Sequence, residues 1–237
     1  MSFNKLTILI PCYNEENTLR DIVDQVLQSD TLGLEKEIII IDDGSNDGSR
    51  KIIQEITQKN KIVKAIYSEK NGGKGSAIKK TLPSATGDII LIQDADLEYD
   101  PKDFPKLIKP IIDQDADVVL GSRFIGGEMH RVLYFWHSAG NKLLTFLSNI
   151  LTNLNLTDIE ACYKVFKSKY IKDINLEERG FGFEPEVIAK ISKLYPPVKI
   201  FEVGIAYKGR TYHQGKKITW RDGIRAVYCI LKYNLFR

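Results

Sequence analysis

Over its first 123 residues the chain alternates short apolar, β-rich runs with segments of helical period. The runs are "KLTILI" (5–10), "EIIIID" (37–42), "IVKAIY" (62–67), "DIILIQ" (88–93) and "DVVLGS" (117–122), and between them lie helical stretches at 15–28, 48–58, 74–82 and 103–113. Few architectures accommodate that rhythm. It predicts an α/β fold, a Rossmann-like and mostly parallel central sheet with helices on both faces. A run such as "IIII", apolar on both faces, belongs to a central strand. Open sheets of this kind bind ligands beyond the carboxyl ends of their strands. There the second run ends in Asp42 and Asp43, and the fourth runs into Asp94 and Asp96.

After residue 123 the rhythm stops. "FIGGEMH" (124–130) reads as a loop, 131–153 as a long helix, and 183–194 as another, opened by Glu184 and Pro185. Strand-like "VKIFEVGIAY" (198–207) and a basic loop (208–217) lead to a last helix at 219–235. With 43% apolar residues, 237 residues suffice for a single domain, 1–237, that closes without disulfides. Within it, 1–123 is expected to bind the nucleotide and 124–237 the acceptor. Cys12, Cys162 and Cys229 are odd in number and far apart, which argues against a disulfide framework or zinc site and for a reducing, cytoplasmic compartment. A net charge of +3 with no recognition motif argues against nucleic acid as a partner. No apolar run is long enough for a membrane span, and the N-terminus lacks a secretory pattern.

Three segments carry chemistry. Asp94-Ala95-Asp96, with Glu98 on the same parity, makes an oxygen-rich cluster suited to a hard divalent ion, Mg2+ or Mn2+, on a diphosphate. A bare D-x-D is equally an acidic loop that caps the next helix. Asp42 and Asp43 precede "GSNDGS", where Ser45 or Asp47 can cap a helix and one further acid can bond a ribose or base. "NGGKGSA" (71–77) enters a helix, so its backbone N–H groups and Lys74 can approach phosphate oxygens; a plain turn with a solvated lysine is the alternative. No G-x-G-x-x-G follows the first run, which disfavours a nicotinamide enzyme.

"LIPCYNEENTL", "IIDDGSNDGS", "NGGKGSA", "QDADLEYDP" and "GSRF" stand in the order and near the spacing of inverting family 2 glycosyltransferases of the A-type fold, which the chain resembles over about residues 5–125. Within that family it most resembles the dolichol-phosphate mannosyltransferase group, and "TDIEACYKVFK", "GFGFEPEV" and "GRTYHQGKKITWRDGIRA" extend the likeness to members without transmembrane tails. The resemblance implies hexose transfer from a GDP- or UDP-sugar to a polyprenyl phosphate, dolichyl or undecaprenyl. It implies a donor site of Pro11, Tyr13, Glu15, Asp42, Asp43, Lys74, Asp94, Ala95 and Asp96. Asp94, Asp96 and Glu98 would hold the metal, with Glu98 a departure from the glutamine familiar there. Arg123, Arg131, Ser138, Arg210 and Lys217 would grip the lipid phosphate, guanidinium forks being suited to phosphate oxygens. Asp158 matches an acid that other members use as a base; with Asp96 and Arg123 it completes the expected catalytic set. A phosphate acceptor is already an anion, so there Asp158 would orient the nucleophile or an arginine.

A lipid acceptor requires contact with a membrane, expected to be peripheral at its cytoplasmic face. In 219–235, Trp220, Ile224, Val227, Tyr228, Leu231 and Leu235 form one stripe, with Arg221, Arg225 and Lys232 off it. The pattern alone favours packing of this stripe on the core, with a lipid headgroup layer as the alternative. Helix 131–153 is apolar except for a line of Ser138, Asn141, Thr145, Ser148 and Thr152, so its apolar girth is expected to be buried in protein or lipid. Competing readings are a family 2 enzyme with a soluble saccharide or protein hydroxyl acceptor, a nucleotide-sugar binding module without turnover, and a nucleotidyltransferase, whose N-terminal glycine-rich signature is missing.

Overall fold

In the computed structural model, residues 3–126, 131–132, 134–210 and 220–236 are described. Strands form at the apolar runs: β1 (Lys5–Cys12), β2 (Glu35–Asp42), β3 (Val63–Tyr67), β4 (Ile89–Ile92) and β5 (Val118–Ser122). Helices α1 (Leu19–Gln28), α2 (Ser49–Lys59), α3 (Lys74–Thr81) and α4 (Phe104–Asp113) connect them. Ile38, Ile39, Ile40 and Ile41 are wholly buried, each contributing roughly 1.5–3 kcal/mol relative to exposure. The second half adds α5 (Phe135–Thr152), β6 (Lys164–Lys167), α6 (Ser168–Asp173), α7 (Phe183–Ile191), β7 (Ile200–Gly204) and α8 (Trp220–Leu235).

The sheet order is β3-β2-β1-β4-β6-β5-β7. Pairing is parallel except at β6, which runs antiparallel to both β4 and β5. From β1 the chain builds outward to β2 and β3, then crosses back to place β4 on the other flank of β1. That reversal opens a crevice at the carboxyl ends of β1 and β4.

Strand β6 is the element that the residue pattern does not announce, being four residues long with a lysine at each end. Its direction matters for the site. Lys164 pairs with Ile92 at the end of β4 and with Leu120 near the end of β5, so the segment entering β6, which carries Asp158, Glu160 and Cys162, is delivered to the same rim as Asp94 and Arg123.

The orientation of α8 corrects the expectation that its stripe packs on the core, and that of α5 leaves part of its apolar girth unburied by protein. On α5 the polar line turns inward: Thr145 and Ser148 are its buried residues, while Phe135, Trp136, Leu143, Phe146 and Ile150 are exposed, Trp136 to 81%. Asn141 Nδ2 donates to Asp158 Oδ1 at 3.0 Å, and Thr145 Oγ1 donates to Asn141 Oδ1 at 3.2 Å. The buried carboxylate needs donors, and the polar line supplies them. On α8 the buried residues are Ala226, Cys229, Ile230 and Tyr233. The stripe of Trp220, Ile224, Tyr228, Leu231 and Leu235 faces outward, Trp220 being 72% exposed, so it does not pack on the core. Arg225 donates two hydrogen bonds to Glu178 Oε2, which anchors the helix from its polar side. Among the described residues no helix is long and apolar enough to cross a membrane.

Candidate active site

A cavity of about 790 Å³ opens at the crevice between β1 and β4. The end of β1 supplies Pro11, Tyr13 and Glu15, and the residues after β4 supply Asp94, Ala95, Asp96 and Glu98. Lys74, Asp43, Arg123 and Arg210 also line it.

The two acids ending β2 part company, as successive residues of an extended strand must. Asp42 is fully buried; it accepts from Arg50 Nε at 2.9 Å and Nη2 at 2.7 Å, and from the Ser45 N–H at 3.1 Å. It is not among the lining residues. Asp43 lines the cavity and accepts the N–H groups of Gly72 and Gly73, the latter at 2.6 Å. Those amides therefore serve the fold, which corrects the expectation that they approach a phosphate. Gly73 has φ +87°, and a Cβ there would lie 2.5 Å from the Arg179 carbonyl oxygen. The glycine is required for close approach of the 178–180 segment. The side chain of Lys74 remains as the loop's cation at the site. Its Nζ lies 3.0 Å from Asp94 Oδ1 and 2.8 Å from Glu184 Oε1.

Arg210 spans three acids on two segments. Its guanidinium donates to Glu15 Oε2 and Oε1 at 3.0 and 3.2 Å and to Asp96 Oδ2 at 2.8 Å, and its Nε lies 3.6 Å from Glu98 Oε1. Glu98 also accepts from the Arg210 N–H at 2.7 Å and from the Tyr207 hydroxyl at 3.0 Å. Burial, with the charges of Asp94 and Glu98 beside it, pushes the Asp96 carboxyl up to about 7 despite Arg210. Negative charge here outweighs what one guanidinium offsets.

Among the described residues no three acidic, histidine or cysteine side chains are grouped as a metal site, and Glu98 is engaged by Tyr207 and Arg210. Asp94 and Asp96, each beside one cation, Lys74 and Arg210 respectively, still present two closely spaced carboxylates to the cavity. That suits a hard divalent ion, which commonly takes one or two carboxylates beside phosphate oxygens and water.

Arg123, just past β5, forms a fork with Asp158: Nε to Oδ2 is 2.7 Å and Nη2 to Oδ1 is 2.8 Å. The Arg123 N–H adds a third bond to Oδ2 at 3.1 Å. With Asn141 and the Glu160 N–H also bonded to Oδ1, the carboxylate has no lone pair left for a substrate proton. Arg123 holds it below the usual carboxylate range against the opposing effect of burial. Glu202 on β7 fixes the same loop, accepting the N–H groups of Thr157 and Asp158. Arg123 itself faces the cavity and stacks over Tyr207 at 5.2 Å.

Two expected acceptor residues stand away from this wall. Arg131 Nη1 donates to the Gly209 carbonyl at 2.9 Å, and the Ser138 N–H makes a helical bond to Tyr134 at 3.0 Å; neither lines the cavity. Lys217 lies outside the described residues. Residue pattern missed Glu160 and Glu184, which both line the cavity. The signal was an acid inside an apolar segment, in "TDIEACY" and "GFGFEPEV". Helices α5 and α8 also contribute to the cavity wall, with Trp136, His137, Asn141 and Leu144 from α5 and Trp220, Asp222 and Ala226 from α8.

Residues 7–174 match the family model described as Glycosyl transferase family 2. The chain is 29% identical to a dolichol-phosphate mannosyltransferase of Pyrococcus furiosus, over 97% of this chain and 64% of that protein's length. It therefore spans less than two thirds of that relative. It is 30% identical to a UDP-N-acetylglucosamine dolichyl-phosphate N-acetylglucosaminyltransferase of Methanococcus voltae, covering 99% of this chain and 98% of that one. Among solved structures, glucosyl-3-phosphoglycerate synthase of Mycobacterium tuberculosis with Mn2+ and UDP-glucose superposes with a TM-score of 0.74 at 16% identity, covering 98% of this chain and 79% of that one. At that identity the likeness is one of fold, the A-type glycosyltransferase fold.

Proposed function

The chain belongs to glycosyl transferase family 2, and on that premise we propose that this glycosyltransferase moves a hexose, with inversion, from a nucleotide sugar to a polyprenyl phosphate at a membrane surface. The observation that carries the reading is the make-up of the cavity wall. One wall holds Asp94, Asp96 and Lys74, and another is built from α5 and α8, two helices that expose large apolar side chains. A charged donor suits the first wall and a lipid tail the second. The names of the Pyrococcus and Methanococcus relatives point the same way.

In this reading Pro11, Tyr13, Glu15 and Asp43 form the wall for the nucleoside, and Lys74 faces the diphosphate. Asp94 and Asp96 would hold Mg2+ or Mn2+, which when bound offsets charge on the leaving diphosphate. Lys74 does the same from the protein side as that charge develops. Arg123, held rigid by Asp158, presents its guanidinium to the acceptor phosphate. The phosphate attacks the anomeric carbon directly, and one displacement inverts the configuration. No base is needed, in keeping with the saturated carboxylate of Asp158. A hydroxyl acceptor would need one, a role for which Asp158 is not free.

The test offers a panel of GDP- and UDP-sugars with Mn2+ and a short polyprenyl phosphate, with the lipid product followed by mass spectrometry. Turnover only with a water-soluble acceptor would overturn the lipid reading. The outward apolar faces support peripheral attachment, since Trp and Tyr favour the headgroup layer. The protein is expected to float with liposomes, and a W136E/W220E double variant to lose about 10²-fold or more in binding, the order expected when two large apolar contacts are removed. Failure to float with or without anionic lipid would remove this part of the proposal.

A further inference from the structure

The cavity wall beyond Lys74 carries two carboxyl groups that neither the metal nor the acceptor reading uses. Glu184, at the start of α7, bonds Lys74 through Oε1, while its Oε2 is buried without a hydrogen-bond partner. Glu160, two residues past Asp158, has a buried Oε1 that likewise lacks one. Both residues line the cavity. Lys164, the buried cation of this region, gives its ammonium protons to the carbonyls of Ile159 and Ala161. Native proteins rarely leave a buried polar atom unpaired, and at a cavity wall such an atom points to a ligand group that completes it.

We infer, resting on the donor reading above, that Glu160 and Glu184 form the subsite that recognises the hydroxyl groups of the transferred sugar. Position and chemistry agree. Glu184 is one hydrogen bond from Lys74, which in turn contacts Asp94, so it borders the place assigned to the diphosphate, and Glu160 lines the same cavity close enough to feel the charge of Glu184. The group attached to a nucleotide sugar's outer phosphate is the sugar. Two acids repel the acceptor phosphate, which belongs with Arg123, but they suit neutral hydroxyls, which bring O–H donors to unpaired oxygens. Burial and the neighbouring charge of Glu184 push the Glu160 carboxyl up to about 8, so that near neutral pH it both donates to and accepts from a hydroxyl.

A site built to bond a hydroxyl rejects the analogue that lacks it, because its own polar groups are then left unpaired. The experiment takes the nucleotide sugar that the full-length protein uses best, together with its monodeoxy analogues. It measures kcat/KM for the native protein and for E160A, E160Q and E184A, alongside GDP or UDP binding with Mn2+ by calorimetry. The native protein should lose about 10²-fold or more on at least one deoxy analogue. E160A or E184A should lose about as much on the parent sugar, yet lose little further on that analogue. E160Q, which keeps an acceptor and a donor, should retain most of the discrimination and guard against a misfolded variant. Nucleoside diphosphate binding should stay within about twofold of native in the Glu160 variants, because the ring, not the diphosphate, is what Glu160 reads. If both alanine variants lower every donor equally, parent and deoxy alike, the subsite assignment is wrong. If neither GDP nor UDP binds the native protein with Mn2+, the donor reading itself fails and takes the subsite with it.

Discussion

D94N should lower sugar transfer by about 10³-fold or more while leaving the urea midpoint nearly unchanged. Asp94 stands after β4 with its carboxylate 3.0 Å from Lys74 Nζ. The substitution removes a charge that would hold the divalent ion and the acid that aims Lys74 toward the leaving diphosphate. Charge stabilisation by a metal is worth several kcal/mol in a transition state, and about 4 kcal/mol corresponds to about 10³ in rate. The fold should tolerate the change because Glu184 still holds Lys74 at 2.8 Å. Steady-state transfer, Mn2+ binding followed by paramagnetic resonance, and urea unfolding report the three quantities. A D94N protein retaining more than a tenth of native turnover would place the diphosphate elsewhere.

The second large effect concerns Arg123 and Asp158. R123A leaves a fully enclosed carboxylate without its counter-ion, and breaking a buried pair in this way typically costs about 3–5 kcal/mol. Loss of activity in that variant alone would be ambiguous. The double variant R123A/D158A removes both charges and should regain most of the lost stability, since no uncompensated carboxylate remains. Transfer to the polyprenyl phosphate should nevertheless stay at least ~10²-fold below native, a guanidinium fork on phosphate being worth a few kcal/mol. Chemical unfolding and kcat/KM for the acceptor, measured on both variants, separate the roles. Recovery of turnover together with stability would reduce Arg123 to a structural cation.

How much of this was legible along the chain depends on whether the deciding contact is local. The strands β1 to β5 were, because each is an apolar run bounded by turn residues. The acids Asp94 and Asp96 were, because they follow such a run directly. Of the neighbours Asp42 and Asp43, only one faces the cavity; the choice was made by Arg50, eight residues on, whose guanidinium claims Asp42. The glycine loop read either as a phosphate cradle or as a plain turn with a solvated lysine. Its amides close instead on Asp43, and its glycines admit the backbone of residues 178–180. Helix α5 announced its polar line plainly, but not that this line faces inward beside Leu144, Leu147 and Leu151, because the buried carboxylate that it serves lies far along the chain.

Periodicity and strand-end residue types by themselves determined an α/β protein with a parallel sheet and carboxylates where its strands stop. Both are properties of short stretches whose geometry depends on neighbours a few residues away. The three-dimensional chain decided what surrounds those carboxylates. Antiparallel insertion of β6 between β4 and β5 carries Asp158 and Glu160 to the rim, α7 brings Glu184 against Lys74, and Arg210 reaches Glu15 across 195 positions. Such pairings arise from strand direction and helix docking, which depend on the packing of the whole sheet, so no local pattern encodes them.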